Sequence, residues 1–150
     1  MTNLTQKERM LLEDLKKQEQ VCIDKYTKYS AEACDEQLKN LFSQLGQKET
    51  EHLQTINLIL NGTVPPLPQN SPVTPEQYTP SACENKKNDE YLCSDALASE
   101  KHVSGEYNTI VFEFSATDVR DMLNHIQKEE QQHGYKIYNY MAQNGMYNAQ

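Results

Sequence analysis

The 150-residue sequence has no tryptophan, only five glycines and three phenylalanines, and its long stretches are rich in Glu, Gln, Lys, Leu and Ala. That mixture favours helix over sheet and predicts an all-α protein. No stretch approaches the eighteen or more apolar residues that would span a bilayer, and Met1–Glu8 lack the apolar core of a signal peptide. A soluble protein made in the cytoplasm is expected. Basic residues are few, 14 against 22 acidic ones for a formal charge of -8, which leaves little attraction to nucleic acid or an anionic membrane. A cation is the more natural ligand. Cysteine is sparse too: Cys22, Cys34, Cys83 and Cys93 form neither a Cys-x-x-Cys pair nor a dense disulfide scaffold. Cys22 and Cys34 sit ~18 Å apart along one predicted helix, so they cannot bond to each other, and all four are expected as reduced thiols. The length is that of one domain, 1–150, able to bury a core without a staple.

Proline is missing from most of the chain. All six prolines, Pro65, Pro66, Pro68, Pro72, Pro75 and Pro80, fall in one segment. The chain is therefore two helical halves, a hairpin over 5–61 and a hairpin over 89–144, separated by a linker over 62–88. Thr5 and Glu8 form a capping-box pattern for a first helix reaching about Ala33. Asp35 can cap a second helix, which Asn61-Gly62 stops. A third helix is expected from about Asp89 to Phe114, and Ser115 or Thr117 can cap a fourth, ending by Asn144-Gly145. Short joints at 34–35 and 115–117 make each pair an antiparallel hairpin. At roughly 3 Å per residue, the Pro-rich linker can run the ~40 Å of a bundle as an irregular strap, so helix 3 can lie parallel to helix 2. That is the crossover topology of ferritin-like four-helix bundles.

Sliding the sequence against itself by 81 positions pairs Leu11 with Leu92, Glu19 with Glu100, Tyr26 with Tyr107, Glu49 with Glu130, and His52 with His133. The apolar rhythm coincides as well, so the chain reads as a duplicated hairpin. In helix 1 the stripe Leu11, Leu15, Cys22, Tyr26, Tyr29 and Ala33 steps by three and four and is broken at Glu19. In helix 3 the equivalent stripe is broken at Glu100. Helix 2 carries Glu49 and His52 between Leu45 and Ile56, and helix 4 carries Glu130 and His133 between Ile126 and Ile137. Six polar groups thus interrupt four apolar stripes near mid-helix.

Four carboxylates in a core must be protonated, paired with buried cations, or bound to metal. No Lys or Arg occupies a stripe position. A Glu from each of two helices plus a Glu-x-x-His from each of the other two is the ligand set of di-iron and di-manganese carboxylate bundles. In that arrangement Glu19 and Glu100 are terminal ligands, Glu49 and Glu130 bridge, and His52 and His133 each cap one ion. The cofactors expected are two transition-metal ions, iron or manganese, with zinc acceptable in purified protein. The opposing view is a vestigial core that keeps the six as a hydrogen-bonded polar layer.

Other residues near these positions are assigned bland roles. His102, His125 and the run Lys86-Lys87-Asn88-Asp89 are taken as solvated, and Glu51 as outward-facing. Glu129 yields to Glu130, which has the spacing to His133. Tyr26 and Tyr107 are assigned to core packing ahead of a role as donors or redox-active phenols beside the glutamates.

The segments Leu4-Thr-Gln-Lys-Glu-Arg-Met-Leu-Leu-Glu-Asp-Leu15, Leu38-Lys-Asn-Leu-Phe42, Ser99-Glu-Lys-His102, Tyr107-Asn-Thr109 and the closing Tyr140-Met…Gly145-Met-Tyr147 resemble the Coat F family of endospore-forming Gram-positive bacteria. The resemblance spans nearly all of the chain outside the linker. It implies a ferritin-like fold, synthesis in the mother-cell cytoplasm, association with the spore coat, and other coat proteins as partners, but no particular reaction. Over the bundle and the six ligand positions the chain is also similar to rubrerythrins and manganese catalases. It departs from rubrerythrins in having no Cys-x-x-Cys module. Nothing in it suggests the fifth helix of a storage ferritin. The functions implied are a structural or accessory coat protein, an oxidoreductase using a di-metal centre on peroxide or dioxygen, or a metal-sequestering protein. The same ligand set serves all three, and self-association as a homodimer stays open.

Overall fold

Thr5 does begin the first helix. In the computed structural model, which describes residues 1–69 and 71–148, its side chain accepts the Glu8 backbone N–H at 3.1 Å, and α1 runs Gln6–Glu32. Asp35 caps α2 (Glu36–Leu60) by accepting the Gln37 N–H at 3.0 Å, and Gly62, at φ +91°, closes that helix in a conformation that costs glycine nothing. α3 spans Lys86–Ile110, three residues earlier than expected, and tightens into a 3-10 turn over Val111–Glu113. α4 covers Thr117–Gln143 and ends on Gly145 at φ +69°.

Two expectations about these helix ends need correcting. Neither Ser115 nor Thr117 caps α4; its N-cap is Ala116, which has no side-chain acceptor to offer. Nor is Asp89 a solvated entry residue. It is fully buried and accepts the backbone N–H groups of Cys34 at 2.8 Å and Asp35 at 3.0 Å, fastening the α1–α2 joint to the first turn of α3.

α1 packs principally on α2, and α3 on α4. Between the hairpins, Tyr29 donates to Asp95 at 2.6 Å and Tyr107 to Glu19 at 2.6 Å, so that residues late in α1 meet residues early in α3 and the reverse. The two helices therefore run antiparallel. The apolar core divides into two clusters. One, around Leu12, Leu15, Ile56, Ile59, Val119 and Leu123, lies toward the start of α1. The other, around Leu38, Phe42, Leu45, Leu92, Ile137 and Tyr140, lies toward its end. Each fully buried aliphatic side chain contributes roughly 1.5–3 kcal/mol. The stripe-breaking Glu and His residues lie in the polar layer between the clusters.

Between Gly62 and Cys83 the described residues form neither helix nor strand, as six prolines without amide hydrogens dictate. At one end of this strap the Gly62 carbonyl accepts the Thr2 N–H at 3.0 Å. At the other, Thr79 and Gln37 exchange two hydrogen bonds of 2.7 and 3.0 Å, and Tyr78 N–H donates to Gln143 at 2.8 Å. The strap also overturns the expectation that all four cysteines are thiols, because Cys34 and Cys83 are joined as a disulfide. They are 49 residues apart, and only the return of the strap to the α1–α2 joint brings them together. Cys22 and Cys93 are free and buried, and burial pushes both thiols up. Among the described residues, no helix is long and apolar enough to cross a membrane.

Candidate metal centre

Because each of the six residues takes the place of an apolar side chain in its stripe, helix packing carries it inward. Glu19, Glu49 and Glu130 are 0% exposed, His52 and His133 2%, and Glu100 3%. They form two overlapping groups, Glu19, Glu49, His52 and Glu130 in one, and Glu49, Glu100, Glu130 and His133 in the other. Within each group one ligand atom per residue lies within 4.8 Å of all the others. Glu49 and Glu130 belong to both.

The two imidazoles face the carboxylates through the same ring atom. His52 Nδ1 is 2.7 Å from Glu130 Oε1 and 3.6 Å from Glu49 Oε1, while His133 Nδ1 is 2.7 Å from Glu49 Oε1 and 3.3 Å from Glu100 Oε1. Two oxygens of Glu49, two of Glu130, one each of Glu19 and Glu100, and His52 Nδ1 are buried with no hydrogen-bond partner among the described residues. Electron-rich atoms this close, in a site without water access, repel unless a proton or a cation stands between them.

Protons are redistributed accordingly. Burial, together with Glu49, raises the Glu19 carboxyl to about 8, against a smaller opposing pull from His52. Burial and Glu100 also raise Glu130 well above the carboxylate range. Burial pushes Glu49 up as well, but the nearby Glu19, His133 and His52 outweigh it and hold that carboxyl well below its ordinary value. Burial disfavours the charged form of His133, yet Glu100 and Glu49 overcome it and lift the imidazole to about 9. His52 rises for the same reason, with Glu129 and Glu130 as the strongest acceptors around it.

Several residues assigned bland roles turn out to contact the six. Tyr26 donates to Glu100 Oε1 at 2.5 Å and Tyr107 to Glu19 Oε1 at 2.6 Å, each reaching across to the other hairpin. Both also pack in the core, so the packing role was incomplete rather than mistaken. The seven-residue spacing from Glu19 to Tyr26 and from Glu100 to Tyr107 was visible, but the exchange of partners was not. Glu129 is not redundant with Glu130. Its Oε1 lies 3.0 Å from His52 Nε2, a contact that fixes the ring with Nδ1 facing the carboxylates. Burial raises the Glu129 carboxyl, but the His52 hydrogen bond and neighbouring positive charge outweigh it and hold it at about 2. His125 is not solvated: its side chain is 11% exposed and its Nε2 lies 3.2 Å from Glu129 Oε1. His102 and Glu51 are exposed as expected, paired with Glu106 at 2.9 Å and Lys48 at 2.7 Å.

No curated protein and no solved structure matches the chain. Its second hairpin does have a match among protein families: residues 88–150, which carry Glu100, Glu130 and His133, fit the family model of the Coat F domain.

Proposed function

We propose that the chain is a Coat F protein of ferritin-like architecture that serves as a structural or accessory component of the spore coat, its core holding two transition-metal ions. One observation carries the metal: six buried carboxylate oxygens and an imidazole nitrogen converge with no hydrogen-bond partner among the described residues. A set of four carboxylates and two imidazoles suits iron or manganese, with zinc as an alternative occupant. Glu19 and His52 would hold one ion, Glu100 and His133 the other, with Glu49 and Glu130 shared between them. When bound, the ions would neutralise the clustered charge and bring redox capability. The protein's own part is to hold the carboxylates by the Tyr26 and Tyr107 phenols, orient His52 through Glu129, and exclude water. The coat assignment rests on the Coat F match alone.

The ferritin-like, duplicated architecture draws support from reciprocity. Under the 81-residue offset, Tyr26 to Glu100 becomes Tyr107 to Glu19, and His52 to Glu130 becomes His133 to Glu49. The N-caps Asp35 and Ala116 superpose in the same register. Antiparallel α1 and α3, with a strap fastened near both ends of α2, fit a crossover connection.

An alternative is a di-iron or di-manganese oxidoreductase acting on peroxide or dioxygen, which the phenols bonded directly to Glu19 and Glu100 favour. Metal analysis of protein purified without added metal, then peroxide consumption after loading with iron or manganese, distinguishes the readings. Two ions per chain without turnover fit the structural role. Turnover that disappears with the metal fits the enzyme, and protein that takes up no metal contradicts both.

A further inference from the structure

The six proposed ligands are at most 3% exposed, so an ion that enters the folded bundle needs a route. A cavity of about 460 Å³ lies beneath the strap, against the faces of α2 and α4. Pro65, Pro66, Pro72 and Pro75 form part of its cover. Among the described residues, no hydrogen bond ties 64–69 or 71–75 to the helices, whereas both ends of the strap are fastened. Among the described residues, hydrogen bonds hold this cover at its ends and not along the span between.

The lining of this cavity includes His52, His125 and Glu129, and it touches none of the other five proposed ligands. His125 Nε2 is buried without a hydrogen-bond partner among the described residues, 3.2 Å from a Glu129 oxygen, and the same oxygen is 3.0 Å from His52 Nε2. Lys48 approaches the second Glu129 oxygen at 3.5 Å and is also paired with Glu51 at 2.7 Å, so it neutralises Glu129 only in part. A different depression, between α1 and α3, is lined by Asp14, Lys17, Lys101, Gly105 and Glu106 among others. Both depressions carry charges of each sign, Lys128 and Lys136 lining the first, but the second reaches none of the six.

We infer that the cavity under the strap is the port by which divalent cations reach the centre, with His125 and Glu129 as the capture site in its lining. An imidazole nitrogen and a carboxylate suit a borderline divalent cation. Two ligands are enough to detain an ion and too few to keep it, which is what transit requires. Glu129 adjoins Glu130 in sequence and bonds to His52, so an ion held there is one residue from the cluster. The inference rests on the metal centre proposed above.

The test is stopped-flow loading of metal-stripped full-length protein with Co(II), whose absorption changes on coordination. His125→Ala removes half of the capture site, and Thr55→Trp fills the cavity from its half-buried wall. Gly105→Trp fills the α1–α3 depression instead, at a position where an added Cβ meets nothing within 4 Å. The port predicts uptake slowed by roughly tenfold or more in the first two variants, with the final stoichiometry unchanged, and the parental rate in Gly105→Trp. Parental rates in both His125→Ala and Thr55→Trp, or slowing by Gly105→Trp alone, overturn the port and leave the centre standing. A parent that takes up no Co(II) refutes the centre, and the port with it. Because Thr55→Trp can perturb packing, each variant is compared with its parent by thermal melting, and His125→Ala decides the question if Thr55→Trp melts early.

Discussion

Stripping metal from the protein and raising the pH from 6 to 9 should lower its melting temperature. In the metal-free fold Glu19 holds its proton to about 8, against an ordinary 4.5, and His133 holds its proton to about 9, against an ordinary 6.5. The folded state therefore binds more protons than the unfolded chain over this window, and its stability is lost as pH rises through the folded values. Glu129 acts oppositely, but its contribution is lost only as pH falls toward about 2, far below the range tested. A tenfold difference in proton affinity between the folded and unfolded chain is worth about 1.4 kcal/mol, and with the groups coupled to one another the combined loss is on the order of a few kcal/mol. For a domain of this size each kcal/mol moves the midpoint by about 2–4 °C, so a drop near 10 °C is expected. Scanning calorimetry of chelated protein across this range, beside protein loaded with manganese, measures it. Loaded protein should not show the drop, because metal competes with protons for the ligands and gains as pH rises. A chelated protein whose midpoint is flat or climbs from pH 6 to 9 would show that the buried Glu19 and His133 do not hold their protons in this way.

Replacing Glu49 and Glu130 together by Gln should abolish metal binding while keeping the fold, since the amides preserve shape and remove charge. A large loss of helicity by circular dichroism in the double variant would count against this. Asp89→Ala leaves the Cys34 and Asp35 amides without their acceptor in a buried joint and should cost about 1–3 kcal/mol in urea unfolding, whereas a cost near zero would mean the joint is satisfied another way.

Much of the centre was legible because it consists of exceptions to a rhythm. Glu19, Glu100 and the two Glu-x-x-His pairs stand where steps of three and four call for apolar side chains, and the repeat between halves marks each exception twice. Thr5 and Asp35 were legible as caps because their side chains act within one turn of their own position. What escaped depends on one element meeting another. Asp89 sits in a charged run on its own helix and is buried only because the α1–α2 joint folds over it. Glu129 and His125 lie at the edge of the α4 stripe, and their burial comes from α2 and the strap. The disulfide depends on where a Pro-rich segment returns, which no periodicity encodes.

Everything proposed for the core depends on Glu19, Glu49, His52, Glu100, Glu130 and His133 holding two metal ions. Anomalous diffraction from crystals loaded with manganese or iron, collected on both sides of the metal's absorption edge, locates such ions without reference to activity. Two peaks about 3.5–4 Å apart are expected in the polar layer, one beside Glu19 and His52 and the other beside Glu100 and His133, with Glu49 and Glu130 between them. A core without an anomalous peak, its glutamates hydrogen-bonded to one another and to ordered water, would contradict the metal centre.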